Sequence, residues 1–533
     1  NTNHATQPFN SVRRDQNIFS ILSMQRKIYL LGKAFCLFIL FSNPISAQNQ
    51  SDTLSLARDL SQKGQFEEAI QLLTSLLHTH PNDVNVLWVL GQNHLWKGQL
   101  PLAKKFYKKA LSLTPDNDYL CIDYARALLE MGEVATCVKI LGVLERRGKV
   151  YADAKYLKAK ALYWQGDYGN ALKAANQAIQ ANSTFQVAKD LRTDILITKS
   201  AWLEASSSYF IDNQPFAILN TSISTGFAVN HKMAPYLRLD SYQFSADSLS
   251  TNAQMITIGN VFSKPLQGFS LKTAFGLANY PNKTMDWTGE IQFSQKIAPK
   301  WDIALFAEHK PFFTTAKSAD TMLSTNHALA TLHYKNPKWI EAALAYDIRQ
   351  FADKNELYTW YGWGLSPSLI PKSVQKGRIS LQLGYAFSYA DAQTTIFESR
   401  KTMAQIVTNY DSTIPIQGFY KLYFTPKQQV IHFASVSFQL EPSQNWTLGF
   451  NGNYGLYAKS QNPYLYLAKD AAGTVAIAKD FLETVYTPYD ISTVITYQFA
   501  NKYALKATYT YRSTFFYQSQ YLGLQFKMNF WHE

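Results

Sequence analysis

Apolar and polar residues alternate with a period of two along Gly418–Tyr457, in two runs separated by a turn. In the first run Val436 and Phe438 fall on one side, while Ser435 and Ser437 fall on the other. Strict alternation on both sides of a turn rich in Pro, Ser and Asn predicts an antiparallel hairpin. Each run is about ten residues long, the length that a tilted strand needs to cross a bilayer. This stretch is therefore expected to belong to a transmembrane β-barrel.

The same alternation begins near Trp202 and continues to the end of the chain. The last run places Leu522 and Leu524 on one side and Gly523 and Gln525 on the other. At roughly twenty residues per strand and connection, this region holds an estimated 14–18 strands, and an even count favours 16. We expect residues 201–533 to form an antiparallel outer-membrane β-barrel of about 16 strands, wide enough for an aqueous lumen.

Residues 51–200 instead follow a helical period and contain an internal repeat. Glycines recur 34 positions apart, from position 64 to 98, 132 and 166. The repeat-defining positions are the glycines Gly64, Gly98, Gly132 and Gly166, the small residues Ala69, Ala103, Cys137 and Ala171, and the prolines Pro81 and Pro115. A helix–turn–helix unit with this spacing resembles the tetratricopeptide repeat. The resemblance implies about four repeats stacked into a superhelix with a concave face, and so an α + β multidomain chain with an all-α N-terminal part.

The N-terminal region has the composition of an export signal. A basic stretch follows Met24, an apolar run covers Ala34–Phe41, and Ala47 offers a small residue for cleavage. We interpret residues 24–47 as a signal peptide. Residues 1–23 precede a complete signal, so they are interpreted as a non-native upstream extension, with Met24 as the true start.

Composition fits an exported barrel protein better than the alternatives. Mean hydropathy is only −0.20, but the inward and outward rows of a barrel cancel in such an average. The net charge of +13 does not concentrate in a Lys/Arg block with interleaved aromatics, so no nucleic acid is expected as partner. No nucleophile, phosphate-binding or metal-ligand motif is found, and we expect no enzyme activity, cofactor or metal. A lipid hydrolase with a Ser/His pair on the outer face is the enzyme alternative.

Charged residues on the polar side of the predicted strands are candidates for the lining of the lumen. They are Asp240, Glu290, Asp302, Glu308, Glu341, Asp347, Arg238, Arg349 and Arg512. One interpretation is that they hydrate the lumen and pair with one another. The other is that the acidic cluster between 290 and 347 lines a path for a neutral or partly cationic polymer, with lumenal aromatics stacking on sugar rings.

An exported repeat array followed by a barrel resembles the BcsC/PgaA-like outer-membrane exporters of bacterial exopolysaccharides. The segment Tyr423, Phe424, Thr425 and Pro426 is similar to an element that precedes a barrel strand in that group. The resemblance implies an outer-membrane porin for cellulose or poly-N-acetylglucosamine. Its periplasmic repeat domain would guide the glycan and dock periplasmic or inner-membrane proteins of glycan synthesis or modification. YaiO-type barrels are also similar, and they imply a closed barrel that anchors a scaffold or assembly protein.

Overall fold

The computed structural model describes residues 50–148, 150–246, 249–280, 285–321, 323–371, 378–408, 416–469, 474–499 and 502–530. The predicted upstream extension and signal peptide lie outside these residues. The chain divides into two compact units; the first is helical, and the second contains the barrel together with residues 163–172 and 190–199 of the helical region.

The helical array consists of nine described helices over residues 50–199. They are α1 Gln50–Gln62, α2 Phe66–Thr79, α3 Val84–Trp96, α4 Leu100–Leu113, α5 Asp118–Glu130, α6 Val134–Arg146, α7 Ala152–Trp164, α8 Tyr168–Ala181 and α9 Gln186–Lys199. The Asp83 carboxylate caps α3 by accepting hydrogen bonds from the Asn85 and Val86 amides. Among the residues that the structure describes, no helix is both long and apolar enough to span a membrane.

The repeated glycines stand where the first helix of each pair turns into the second. Gly64, Gly98, Gly132 and Gly166 have φ values of 77°, 79°, 76° and 76°. Residues with a Cβ atom rarely adopt this left-handed backbone conformation, so these turns require glycine. The four glycines lie between the two helices of each pair.

The small residues of the repeat mark close helix contacts. Ala69, Ala103, Cys137 and Ala171 are fully buried. Gly91 serves the same purpose in α3, because a Cβ there would lie 2.9 Å from Cδ2 of Tyr107. Since the hydrophobic residues of each helix face these contacts, the array buries its apolar surface inside and leaves its charges outside.

The barrel is a ring of sixteen antiparallel strands, closed by pairing of the first with the last. The strands are β1 Ala201–Asp212, β2 Ala217–Gly226, β3 Pro235–Ala246, β4 Leu249–Lys264, β5 Phe269–Asn279, β6 Asp286–Ala298, β7 Trp301–Pro311, β8 Ser324–Asn336, β9 Ile340–Phe351, β10 Glu356–Leu365, β11 Ile379–Ala392, β14 Gln429–Ser443, β15 Trp446–Lys469, β17 Tyr489–Phe499, β18 Tyr503–Ser513 and β19 Gln518–Phe530. The predicted antiparallel barrel of about 16 strands is confirmed.

The hairpin first seen in the sequence is β14–β15, in which Phe438 lies opposite Phe450. β15 continues beyond the predicted end at Tyr457 because its second half has a separate partner, β16 Val475–Tyr486. That half and β16 form a hairpin outside the ring. Gly418–Tyr420 is not part of the barrel hairpin but forms β13, which pairs with β12 Phe397–Ser399.

The two rims of the barrel carry different connections. β1 begins and β19 ends at one rim, which we call the near rim; most turns there are short, such as residues 299–300 and 444–445. The opposite, far rim carries the β15–β16 hairpin and two long connections. By their described residues, these are the β7–β8 loop, 312–321 and 323 with α10 Ala316–Thr321, and the crossing segment, 393–408 and 416–428 with α11 Met403–Thr408. Bacterial barrels place short turns in the periplasm and long loops outside the cell.

Candidate functional site

The candidate site is the lumen of the barrel, and the strand register places all nine candidate lining residues in rows on one face of the sheet. We propose that this face lines the lumen. The rows alternate with apolar residues that are exposed on the outside of the ring. Leu239, for example, is 47% exposed and stands between Arg238 and Asp240, which bond to each other at 2.7 Å. Alternation of this kind is what a lipid-facing wall around a polar interior requires.

Two histidines of β8 each lie between carboxylates of the neighbouring strands. Nδ1 of His327 is 3.1 Å from Glu308, and its Nε2 is 2.8 Å from Asp347. Six residues further along, Nδ1 of His333 is 3.9 Å from Asp302, and its Nε2 is 3.2 Å from Glu341. The His327 side chain is fully buried, whereas that of His333 is 27% exposed. The same arrangement therefore occurs twice along one wall.

The other candidates also have charged neighbours. Glu290 accepts a hydrogen bond from Lys272 at 2.8 Å, and Glu308 has a second partner, Lys310, at 2.6 Å. Arg512 lies opposite Asp490 on the adjacent strand. Each carboxylate of the acidic cluster lies beside a lysine or histidine. The arrangement therefore favours mutual pairing over an unneutralised acidic path.

Sequence reasoning did not select His327 and His333 as candidate lining residues. Their spacing of six places both on the same face of β8. Only the pairing register, which sets Glu308 opposite His327 and His327 opposite Arg349, brings them between carboxylates. Among the described residues, no group of three or more His, Cys, Asp or Glu side chains is suited to hold a metal ion.

Aromatic rings line the inner wall close to the near rim, and each has a lysine or histidine side chain beside it. Nζ of Lys527 is 5.2 Å from the ring centre of Trp202, and Nζ of Lys272 is 5.4 Å from that of Tyr236. On the opposite wall, the rings of His333 and Trp363 are 5.7 Å apart.

Inward glycines leave room for two of these rings. A Cβ on Gly259 would lie 2.3 Å from Cζ of Tyr236, and one on Gly226 would lie 2.9 Å from Cζ2 of Trp202. The rings therefore lie against the backbone of the neighbouring strands instead of projecting across the lumen.

The β7–β8 loop packs against the inner wall at the far end of the lumen. Its Phe313 ring is 4.6 Å from Phe244 and 5.3 Å from Tyr242, both of which face inward from β3. Ala319 of α10 joins the same buried cluster, which also includes Phe216. The loop thus runs from β7 and β8 to the wall formed by β3 and its neighbours.

The crossing segment is fixed to the β7–β10 side of the far rim by Tyr423. The Tyr423 ring stacks on Phe351 with 3.5 Å between centres, and its hydroxyl donates to Asp353 at 2.8 Å. The preceding residue, Leu422, is bound to the β7–β8 loop, because the Thr315 hydroxyl donates to the Leu422 carbonyl at 2.6 Å. The predicted barrel motif, Tyr423–Pro426, is therefore an anchor of this segment.

The crossing segment also contacts the opposite side of the far rim. Phe424 lies 5.4 Å from Phe516 in the β18–β19 turn, and Ile416 forms a bridge with Leu465 of the outer hairpin. In the strand order, six strands separate this turn from the β7–β8 loop in either direction. The segment therefore spans the far mouth between diametrically opposed connections.

Comparison with protein families identifies the helical array. Two tetratricopeptide-repeat family models match residues 54–118 and 97–161. These residues are tetratricopeptide repeats. The repeat assignment made from the glycine spacing is confirmed.

Several solved structures are similar to parts of the chain. A bacterial polysaccharide outer membrane secretin is 9% identical, with a TM-score of 0.44 over 62% of this chain and 99% of the other. A MamA protein is 21% identical over 28% of this chain and 88% of its own, with a TM-score of 0.25. PilF of Pseudomonas aeruginosa is 16% identical over 28% of this chain and 67% of its own, also with a TM-score of 0.25. A comparison with curated proteins found no match.

Proposed function

We propose that this protein exports a polysaccharide across the bacterial outer membrane through its barrel. The tetratricopeptide repeats would lie in the periplasm, dock proteins of glycan synthesis or modification, and guide the chain to the near rim. Transport would be driven by polymerisation elsewhere, so this chain would perform no chemistry itself. A ring of sixteen strands leaves an aqueous channel in other barrels, which gives a hydrated polymer room to pass.

The observation that carries the proposal is the set of aromatic rings near the near rim. Trp202 and Tyr236 lie against inward glycines, and each has a lysine beside it. The apolar face of a pyranose ring stacks on such aromatic surfaces, while its hydroxyl groups hydrogen-bond to neighbouring charged groups. Mutually paired ions on the same wall keep the lumen hydrated without binding one polymer charge strongly.

Within polysaccharides, we propose a neutral or partly cationic glycan of the cellulose or poly-N-acetylglucosamine type. Such β-linked chains present flat ring faces that match the aromatic rings. The acidic cluster has Lys272, Lys310, His327 and His333 as neighbours, which makes stacking, and not net charge, the main attraction.

The far mouth supports the view that export is gated. The crossing segment and the β7–β8 loop pack together through Tyr423, Phe312 and Phe351. A glycan leaving the lumen would have to displace them. The same contacts favour a second candidate function, in which the barrel stays closed and anchors the repeats as a scaffold.

Single-channel conductance of the full-length protein in planar bilayers tests both candidates. We expect low conductance from the wild type and large openings from a Tyr423→Ala, Asp353→Asn variant, because these changes remove the stacking and hydrogen bonds of the anchor. Cellohexaose or chitohexaose should then block the openings. In that background Tyr236→Ala should weaken the block about tenfold, while Tyr236→Phe, which keeps the ring, should not.

A well-folded release variant that never conducts would overturn export and leave the scaffold. Openings that neither glycan blocks would overturn the proposed substrate class while keeping the channel. Folding of each variant is checked by heat-modifiable mobility on gels, which reports an intact barrel.

A further inference from the structure

The tetratricopeptide repeats contain a cavity of about 430 Å³ that lies outside the barrel site. It spans three consecutive repeats, because Trp88 comes from α3, Tyr119 and Arg126 from α5, and Asp153 from α7. Its size falls in the range of small-ligand pockets, ~300–1,000 Å³. The first helices of the repeats line the concave side of such superhelices, so the cavity faces the groove of the array.

The floor of the cavity is a fixed polar network around Asp123. The carboxylate accepts hydrogen bonds from Trp88 Nε1 at 2.7 Å, from Gln92 at 2.9 Å and from the Tyr107 hydroxyl at 2.8 Å. Burial and the Asp123 charge raise the pKa of Tyr107, so its hydroxyl stays protonated and donating. Arg126 adds a fourth donor, with Nη1 3.2 Å from the other carboxylate oxygen. With four donors converging on it, Asp123 holds the Trp88 indole in one orientation.

The wall of the cavity is aromatic and exposed. The Tyr119 side chain lies 6.0 Å from Tyr151 between ring centres, and Tyr119 is 69% exposed. Above the rings, Arg126 lies 3.6 Å from Asp153, and both side chains are about half exposed. Open ring faces beside a carboxylate and a guanidinium offer stacking together with both acceptors and donors.

We propose that this cavity binds a sugar ring of the exported glycan, a proposal that rests on the proposed function. The face of a pyranose would stack on Tyr119, and its vicinal hydroxyl groups would hydrogen-bond to Asp153 and Arg126. The site would hold the chain in the groove of the repeats before it reaches the barrel. Two carboxylates and one guanidinium suit a neutral or amino sugar better than an acidic one.

A peptide segment is the other class of ligand that such a groove could take. Among the described residues that line the cavity, there is no lysine cluster for a terminal carboxylate. Its aromatic rings are two tyrosines and an indole; the Tyr151 hydroxyl donates to Asp118 at 2.8 Å, and the indole donates to Asp123 at 2.7 Å. Amphipathic rings of this kind match a ligand with polar edges on every side, as a sugar has. The test includes a basic peptide for this reason.

The test is calorimetric titration of the full-length protein in detergent micelles with cellohexaose, chitohexaose and the glucosamine hexamer. Because the lumen also offers aromatic rings, the titrations are compared between wild type and cavity variants. Tyr119→Ala should weaken binding of at least one hexamer about tenfold, and Asp153→Asn should weaken it severalfold. Tyr119→Phe should bind as the wild type does.

Asp116→Asn is the matched control for the loss of one carboxylate, because Asp116 is 91% exposed and pairs with Arg147 outside the cavity. Unchanged binding in Tyr119→Ala and Asp153→Asn, with the helical circular dichroism signal intact, would overturn the proposal. So would tight binding of an oligo-arginine peptide that both variants abolish while hexamer binding persists. Neither result alters the conductance block by glycans, so failure of this site and failure of export are distinguishable.

Discussion

The helical array and the barrel place their charged side chains on opposite sides of their apolar residues. In the array, Lys104 pairs with Glu133 at 2.5 Å on the surface, and both side chains are about one-third exposed. In the barrel, His327 bridges Glu308 and Asp347 inside the ring, while Leu344 and Leu239 face outward. Both units are amphipathic, but for different solvents: the array buries its apolar surface away from water, and the barrel presents its apolar surface to lipid.

The difference teaches where an ion pair matters. A surface pair in water contributes little because both ions are well solvated when separated. The His327 pair in the barrel is different, because the side chains of His327 and Glu308 are 0% and 4% exposed. Removal of His327 would leave a buried carboxylate without that partner.

Loss of the inner bridge should have the largest effect. His327→Ala is expected to lower the free energy of barrel unfolding by about 3–5 kcal/mol, because Glu308 and Asp347 would lose their shared partner. Lys104→Ala in the array should cost ~0–1 kcal/mol. Urea titration of the protein in vesicles, followed by tryptophan fluorescence, measures the first, and helical circular dichroism measures the second. Equal costs for both would contradict the contrast.

A charge introduced on the exposed apolar surface should have the next largest effect on stability, and the effect should differ between the barrel and the array. Leu344→Arg is expected to cost the barrel about 2–4 kcal/mol, because it puts an ion into lipid at mid-strand. Leu113→Arg, at a site of similar exposure on α4, should change array stability by only about 0.5 kcal/mol or less. The fraction of folded barrel after reconstitution and the urea midpoint of the array provide the readouts. If Leu344→Arg left the stability of the barrel unchanged, this face would not contact lipid.

A smaller effect should sharpen the account of the repeat turns. Gly98→Ala is expected to cost the array about 1–2 kcal/mol, because an alanine would have to take the left-handed conformation. Gly169→Ala is the control. Gly169 lies within α8 and is not among the positive-φ glycines, and nothing lies within 4 Å of its Cβ position, so the change should stabilise by about 0.5–1 kcal/mol. Thermal unfolding followed by helical circular dichroism measures the predicted destabilisation by Gly98→Ala and the predicted stabilisation by Gly169→Ala. Destabilisation by both substitutions would contradict the role given to positive φ.

The smallest change is expected at Cys137. This buried thiol occupies the position that alanine holds in the other repeats, so Cys137→Ala should cost less than about 1 kcal/mol. The matched change Leu141→Ala on the same helix should cost about 2–5 kcal/mol. A large loss from Cys137→Ala would mean that the sulfur fills a gap specific to this repeat.

The two architectures could be predicted from the sequence because each produces a regular spacing of residues along the chain. The spacing of Gly64, Gly98 and Gly132 reflects one backbone requirement repeated in every unit, so it could be read without a structure. The alternation around Phe438 reflects lipid on one side and water on the other. Both signals depend on neighbours in the chain alone.

Contacts between distant residues were not predictable in this way. His327 meets Glu308 and Asp347 only because the register of three strands is fixed, and a shift of one residue would separate them. The contacts of Tyr423 with Phe351 and Phe424 with Phe516 depend on how a long connection crosses the mouth. The composition of that connection does not indicate where it goes. The segment Tyr423–Pro426 could be selected from the sequence, whereas its anchoring contacts are visible only in three dimensions.

The parity of the strand count has a topological consequence. Since the ring has sixteen strands, β1 starts and β19 ends on the same face of the membrane. Loss or gain of one strand would move the C-terminal end to the other face, whereas loss or gain of a hairpin would preserve it. Such a barrel can therefore grow or shrink in evolution only by pairs of strands if the side on which the chain enters and leaves is to be kept.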